Sequence, residues 1–282
     1  MTGTSYTYSR VLTIATSDSG GGAGIQADLK TIAALGCYGM SVIVALTAQN
    51  TVEVRAIHEV PVAMINAQLD ALIDDIGADA VKIGMLFSRE IIQCVAQGIR
   101  SKQLSHVVLD PVMVSATGAK LIEDDAIQTM IQELFPLSEV ITPNVDEAAL
   151  LLGKPISDRN DLGTAARDLL DLGAQAVLLK GAHLQNDDVV DVLAMRHKST
   201  NAVELYELDS PRIHSHNLHG AGCTFSAAIA SYLALGLDLP SAVQAARVYV
   251  MGAIEAGLDV RTGHGVGPLN HTHAPQAMRL KD

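Results

Sequence analysis

Tryptophan is absent from the chain, and Phe and Tyr together make up only 3% of its 282 residues. A surface so poor in rings offers unpaired bases little to stack on. Positive charge is also short. Nineteen Lys and Arg against 31 Asp and Glu leave a formal net charge of −12, which repels phosphate backbones, so nucleic acid is not an expected partner. Hydrophobic residues reach 49%, yet no run of about 20 apolar residues occurs, and no membrane span is expected. The opening "MTGTSYTYSR" lacks the apolar segment a secretory signal needs. Cysteine is scarce: Cys37, Cys94 and Cys223 are odd in number and lack metal-ligand spacing, which suits a reducing cytoplasm. These exclusions leave a small-molecule enzyme or binding protein.

What is present is a repeated switch between short aliphatic runs and longer segments of helical period. "VLTIAT" (11–16), "MSVIVALTA" (40–48), "DAVKIGM" (79–85), "HVVLDPVM" (106–113), "EVITPN" (139–144) and "AVLLKGAH" (176–183) read as strands. "GIQADLKTIAALG" (24–36) and "PVAMINAQLDALIDDIG" (61–77) read as helices, the latter with Pro at its first turn and Gly at its end. Strands this aliphatic, alternating with helices, predict an α/β fold whose mostly parallel sheet is covered on both faces. No internal repeat, low-complexity segment or linker interrupts the pattern, so 1–282 is read as a single domain. Polar and turn-forming residues follow the strands: "SDSGGGAG", "AQNT", "KIGM", "DPVM", "TPNVDE", "KGAH". In open α/β sheets that rim is where ligands bind.

Two glycine-rich stretches stand out. "SDSGGGAGIQAD" (17–28) has neither clean dinucleotide-fold spacing nor a Gly-Lys-Ser/Thr, so it reads as a tight turn letting a ligand approach the backbone, with Asp28 placed to point back at it. In "HGAGCTFSAAIA", Gly220, Ala221 and Gly222 leave amides uncovered at the start of a helix expected over 223–234. Such a start is an anion hole, and it favours the thiolate of Cys223. His219 is expected to brace this loop. His264, His271 and His273, separated by Gly and Pro, do not fit a helical metal-ligand pair.

In order, "SDSGGGAGIQADLKT", "ALTAQNT", "KIGML", "VVLDPVMV", "ITPNVDEAALLLG", "LLKGAHL", "HGAGCTFSAAIA" and "GVGPLNH" resemble the hydroxymethylpyrimidine and phosphomethylpyrimidine kinases of thiamine biosynthesis, members of the ribokinase-like superfamily. The resemblance runs from about Val11 to His273. It implies a three-layer α/β/α fold, a homodimer, and two ATP- and Mg2+-dependent phosphorylations. The first acts on 4-amino-5-hydroxymethyl-2-methylpyrimidine and the second on its monophosphate, giving the pyrophosphate.

Carried over by position, the resemblance places Gln49 on the pyrimidine and Asp28 near the hydroxymethyl group. Met85 and Val112 become ring walls, with Gly22 and Ala23 beside the substrate. It places Asn144, Glu147, Lys180 and Asp110 at the ATP phosphates and magnesium, Gly220, Ala221 and Gly222 in the anion hole, and Cys223 as base or hydroxyl-orienting group.

The chain departs from the family pattern at Thr16, where Gly is common, and at Val145-Asp146 inside the Asn-x-x-Glu motif. Ala221 stands where Thr is frequent, and "VSATG" (114–118) lacks a Lys that some members carry. A related pyridoxal kinase subgroup shares "HGAGCTF" but carries a second cysteine after its "DPVM" strand. This chain has Val114 and Ser115 there, which favours the pyrimidine. A non-catalytic pyrimidine-binding relative is the third reading.

Overall fold

The computed structural model describes residues 6–113, 122, 124–184, 187–197 and 199–281. The first half of the chain runs β1 (Thr7–Tyr8), β2 (Arg10–Asp18), α1 (Gly24–Ala34), β3 (Tyr38–Gln49), β4 (Val54–Glu59), α2 (Val62–Ile73), β5 (Ala80–Ile83), α3 (Arg89–Ser101), β6 (Val107–Leu109) and α4 (Asp124–Glu133). The second half runs β7 (Val140–Ile141), α5 (Val145–Leu152), α6 (Leu162–Leu170), β8 (Ala176–Leu179), β9 (Asp188–Arg196), β10 (Val203–Pro211), α7 (Ala221–Ala234), α8 (Leu239–Glu255) and β11 (Leu280–Lys281).

Side chains alternate across a strand, so a strand that is apolar at every position needs cover on both faces. In β2, Leu12 and Ile14 join one core, with Ile65 of α2, Ile91 of α3 and Leu169 of α6. Val11 joins the other, with Ile32 of α1, Ile229 of α7 and Val243 of α8. This is the layered arrangement expected from the sequence. Among the described residues, one nine-stranded sheet runs in the order β10-β9-β8-β7-β6-β5-β2-β3-β4. The strands from β3 through β8 in that order are parallel; β4 pairs antiparallel with β3, β9 with β8, and β10 with β9. The chain leaves β2 toward β3 but leaves β5 toward β6, so the strand order reverses between β2 and β5. A crevice opens at the carboxyl ends of such a pair. No described helix is long and apolar enough to cross a membrane.

Several strands end earlier than the aliphatic pattern predicts. β6 stops at Leu109 and β7 at Ile141, because Pro111 and Pro143 have no N–H for the ladder. The residues after them leave the sheet and turn to the crevice. The helix expected from Cys223 begins two residues earlier, at Ala221. The strands β4, β9 and β10 were not foreseen; β10 alternates half-buried and exposed residues and carries acids, so it shows no aliphatic run.

At the sheet's other end, Arg10 bonds Asp79 through its guanidinium (2.9 Å) and its amide (2.7 Å). Burial opposes ionisation of Asp79, but Arg10 outweighs it and holds the carboxyl at about 2. A depressed acid contributes stability above its unfolded value that is lost as pH falls through the folded one. Asp79→Asn should therefore lower unfolding free energy by about 1–2 kcal/mol at pH 7. In urea melts the difference should shrink from about pH 5 downward, be mostly lost at about pH 2 and vanish near pH 1.

Candidate active site

At the carboxyl rim lies a cavity of about 440 Å³. Thr16 near the end of β2, Met85 after β5, Asp110 after β6, Asn144 after β7 and Lys180 after β8 all line it, opposite Gly220–Cys223 at the start of α7.

Gly220 caps α7 in the left-handed region, at φ 85°. A Cβ there would stand 1.9 Å from the Gly22 carbonyl oxygen, so only glycine lets the two loops meet. The amide of Ala221 turns back to the Leu218 carbonyl at 3.1 Å. The amides of Gly222 and Cys223 find no acceptor among the described residues. In the anion hole expected from Gly220–Gly222, Ala221 is thus occupied, while the amide of Gly220 also finds no acceptor among the described residues and the open donors extend to Cys223, those of Gly222 and Cys223 lying at the positive end of the helix.

The glycine loop after β2 is held by Asp18. Its carboxylate accepts from the amides of Gly20 (2.8 Å), Gly22 (3.1 Å) and Ala23 (2.8 Å), and lies 2.9 Å from His219 Nε2. Burial raises the Asp18 carboxyl, but His219 and these amides outweigh it and hold the group below its ordinary value. His219, expected to brace the Gly220–Gly222 loop that follows it, instead reaches Asp18 and helps to hold the glycine loop after β2, while Gln49 Nε2 lies 3.4 Å from its ring nitrogen.

Two of the ion pairs along the cavity bear on this rim. Lys180 donates to Asp110 at 2.9 Å, with Thr142 Oγ1 donating to the same oxygen at 3.0 Å. Lys82 of β5 donates to Asp28 of α1 at 2.9 Å, and Thr13 Oγ1 does so at 2.6 Å. Both side chains of the second pair are fully buried. Asn144 and Glu147 form a reciprocal cap on α5: Asn144 Oδ1 accepts from the Glu147 amide at 2.9 Å, and Glu147 Oε2 from the Asn144 amide at 2.8 Å.

Comparison with known proteins adds to this geometry. The family model for phosphomethylpyrimidine kinase matches residues 18–270. The chain belongs to the phosphomethylpyrimidine kinase family. A hydroxymethylpyrimidine/phosphomethylpyrimidine kinase of Rhizobium meliloti is 46% identical, over 93% of this chain and 96% of that one. A thiamine biosynthesis bifunctional protein of Geobacter sulfurreducens is 49% identical over 95% of this chain, which spans only 53% of that longer protein. Among solved structures, a Clostridium difficile phosphomethylpyrimidine kinase superposes with TM-score 0.75 at 42% identity, over 87% of this chain and 99% of that one. A Bacillus subtilis pyridoxal kinase, solved as an ADP complex, gives 0.84 at 37% identity, over 95% and 98%. The ribokinase-like expectation for the fold therefore holds.

In this phosphomethylpyrimidine kinase family member, Gln49, Met85, Val112, Ala23, Asp110, Asn144, Glu147, Lys180, Gly220, Ala221, Gly222 and Cys223 all line the one cavity. Two expected residues do not. Asp28 is wholly buried behind Lys82, because its place in α1 faces the sheet and not the loop. Gly22 is buried as well, its amide on Asp18 and its α-carbon against His219. Cys223 departs in chemistry. Burial, opposed by Lys82 but reinforced by Asp28 and Asp110, pushes its thiol up to about 11, so the helix start does not yield the expected thiolate.

Of the departures, Thr16 donates to the Met85 carbonyl at 3.1 Å, which fixes that wall. Residues 114–118, including Val114 and Ser115, lie outside the described residues. The sequence reading missed Asp18 and Lys82. A lysine inside "AVKI", where its neighbours are all buried, was the available signal, since lysine is almost never fully buried without a partner.

Burial lifts Glu147 to about 7; Lys180 opposes this and Asp110 adds to it. An acid raised on folding stabilises below its unfolded value, and that stability is lost as pH rises through the folded one. In the protein free of nucleotide and metal, Glu147→Gln should therefore be more stable than wild type by about 1–3 kcal/mol at pH 8. Thermal melts at pH 8 and pH 4 should show the gain at the first and none at the second.

Proposed function

We propose that the chain transfers the terminal phosphoryl group of ATP to the hydroxymethyl group of 4-amino-5-hydroxymethyl-2-methylpyrimidine, and then to the resulting monophosphate, within thiamine biosynthesis. The observation that carries the reading is the pair of open amides at Gly222 and Cys223 in the wall of a cavity that Gln49, Met85 and Val112 also line, together with Val250 and Met251 of α8. A glutamine amide offers a donor and an acceptor side by side, which matches a ring nitrogen flanked by an amino group. The apolar side chains from α8 suit a nucleoside base. The names carried by relatives across nearly the whole chain support the same reading.

Phosphoryl transfer asks a protein mainly for in-line positioning and neutralisation of charge. Lys180 and the two amides supply positive charge where the travelling group passes. With its thiol near 11, Cys223 orients the hydroxyl by accepting its hydrogen bond on sulfur. The hydroxyl oxygen forms the new P–O bond as the bond to the β-phosphate breaks, and ADP leaves with the electron pair. The proton departs late, onto the transferred phosphoryl group. The residues fit Mg2+: Asp110 and Glu147 bring two hard carboxylate donors to the wall of one cavity, and an ion shared with phosphates needs only one or two. When bound, the ion would neutralise phosphate charge. The same reading makes residues 1–282 one kinase domain, acting in the cytoplasm as a homodimer.

A pyridoxal kinase is the second reading, favoured by the likeness to the Bacillus subtilis structure. A coupled assay for ADP release should give turnover with the hydroxymethylpyrimidine and its monophosphate, and little with pyridoxal. Preferential turnover of pyridoxal would reverse the order of the two readings, and no ADP with any of the three would leave a binding protein. Cys223→Ala should cut kcat on the alcohol by about 100-fold while leaving the Kd of the pyrimidine within about twofold. Equal losses in both would remove the orienting role.

A further inference from the structure

Among the described residues, Lys82 is the one rim cation with no exposure at all, and the mechanism above leaves it unused. Its ammonium has a single partner among the described residues, Asp28 Oδ2 at 2.9 Å. An ammonium has three protons to donate, so two remain without a drawn acceptor. The partner is incomplete too: Asp28 Oδ1 is the one buried side-chain oxygen among the described residues with no donor. A pair serving only to hold the fold gains little unless its remaining protons and lone pairs are satisfied. The chain nevertheless makes room for this one. A Cβ on Gly84 would lie 2.8 Å from Lys82 Nζ, so the glycine of "KIGM" is what lets the ammonium occupy its place. Lys82 lies in the cavity wall with Cys223 and Asp110, on the face of β5 that α7 covers. The charges around it are Asp28 on α1, Asp110 after β6 and the Cys223 thiol on α7, and together they hold its proton well above the ordinary lysine value despite burial.

The two transfers proposed above make different demands on that place. In the first, the nucleophile is a neutral alcohol that needs orienting and must lose a proton. In the second it is a phosphate monoester with its second pKa near 6, so at neutral pH it arrives about fully ionised and has no proton to lose. Its non-bridging oxygen attacks the γ-phosphorus, the bond to the β-phosphate breaks, and ADP leaves with the electrons. Orientation by a thiol then matters less. Two anionic phosphates must instead be brought together in a cavity where charge is poorly screened. We propose that Lys82 is the specificity-determining counter-charge for the second transfer, acting from the cavity floor on the acceptor phosphate.

The inference rests on the two-step kinase reading. Its test measures kcat and KM by ADP release, separately on the hydroxymethylpyrimidine and on its monophosphate, for wild type, Lys82→Met, Gly84→Ala and Cys223→Ala, each first checked by thermal melting. For Lys82→Met the ratio of monophosphate to alcohol efficiency should fall by about 30-fold or more, with a rise in KM for the monophosphate. Cys223→Ala should move the ratio the opposite way. If Lys82→Met does not fold, Gly84→Ala decides: it keeps the charge but crowds the ammonium, and should lower the same ratio by about threefold or more. Equal losses on both acceptors, or a ratio that rises in the Lys82 or Gly84 variant, would overturn the role of Lys82 and leave the kinase reading intact. Absence of ADP from both substrates with wild type would overturn the kinase reading, and this inference with it.

Discussion

Lys82 and Asp28 carry opposite charges 2.9 Å apart with no exposure, and much of the rim is arranged around the cost of keeping them there. Taking either ion out of water alone would be prohibitive, and together they are tolerated only because each partly replaces the other's hydration. Thr13 adds a hydrogen bond from β2, and Gly84 yields the volume. The next strands along repeat the device, with Asp110 after β6 bonded to Thr142 after β7 and to Lys180 after β8. The sheet thus ends in alternating charges held at the spacing of its strands. Above them the positive end of α7 completes a surface suited to anions.

That surface depends on two loops meeting. The Asp18 carboxylate gathers three amides of the glycine loop and the His219 ring, while Gly220 lies against the Gly22 carbonyl with no room for a side chain. The second loop is also tied to the C-terminal segment, where Thr224 Oγ1 lies 3.1 Å from the buried His271 Nε2 and Tyr249 donates to the His271 carbonyl at 2.5 Å. Burial lowers His271 to about 4, so at neutral pH this histidine is an uncharged strut for the first turn of α7.

The layered fold was legible because the central strands carry aliphatic side chains on both faces, and only a sheet covered twice explains that. The edge strands were not, because β4 and β10 face water and their acids and histidine break the pattern. At the site, glycines flanking a cysteine at a helix start marked α7, and residues following each strand marked the rim. Asp28 was misplaced because sequence gives its distance from the glycine loop but not which face of α1 it occupies. The thiol was misjudged for a similar reason. A helix start favours the thiolate, but burial and the two nearby carboxylates act from segments far away in the chain, and they win. Ala221 was counted as an open donor because nothing local shows the turn back to Leu218.

The glycine loop is the part of a protein where backbone freedom is ordinarily greatest, and here it is already fixed by Asp18 before any ligand arrives. Its loss of entropy belongs to folding and not to association. A small ring entering the cavity beside that loop therefore meets a rigid wall and can bind with little local rearrangement.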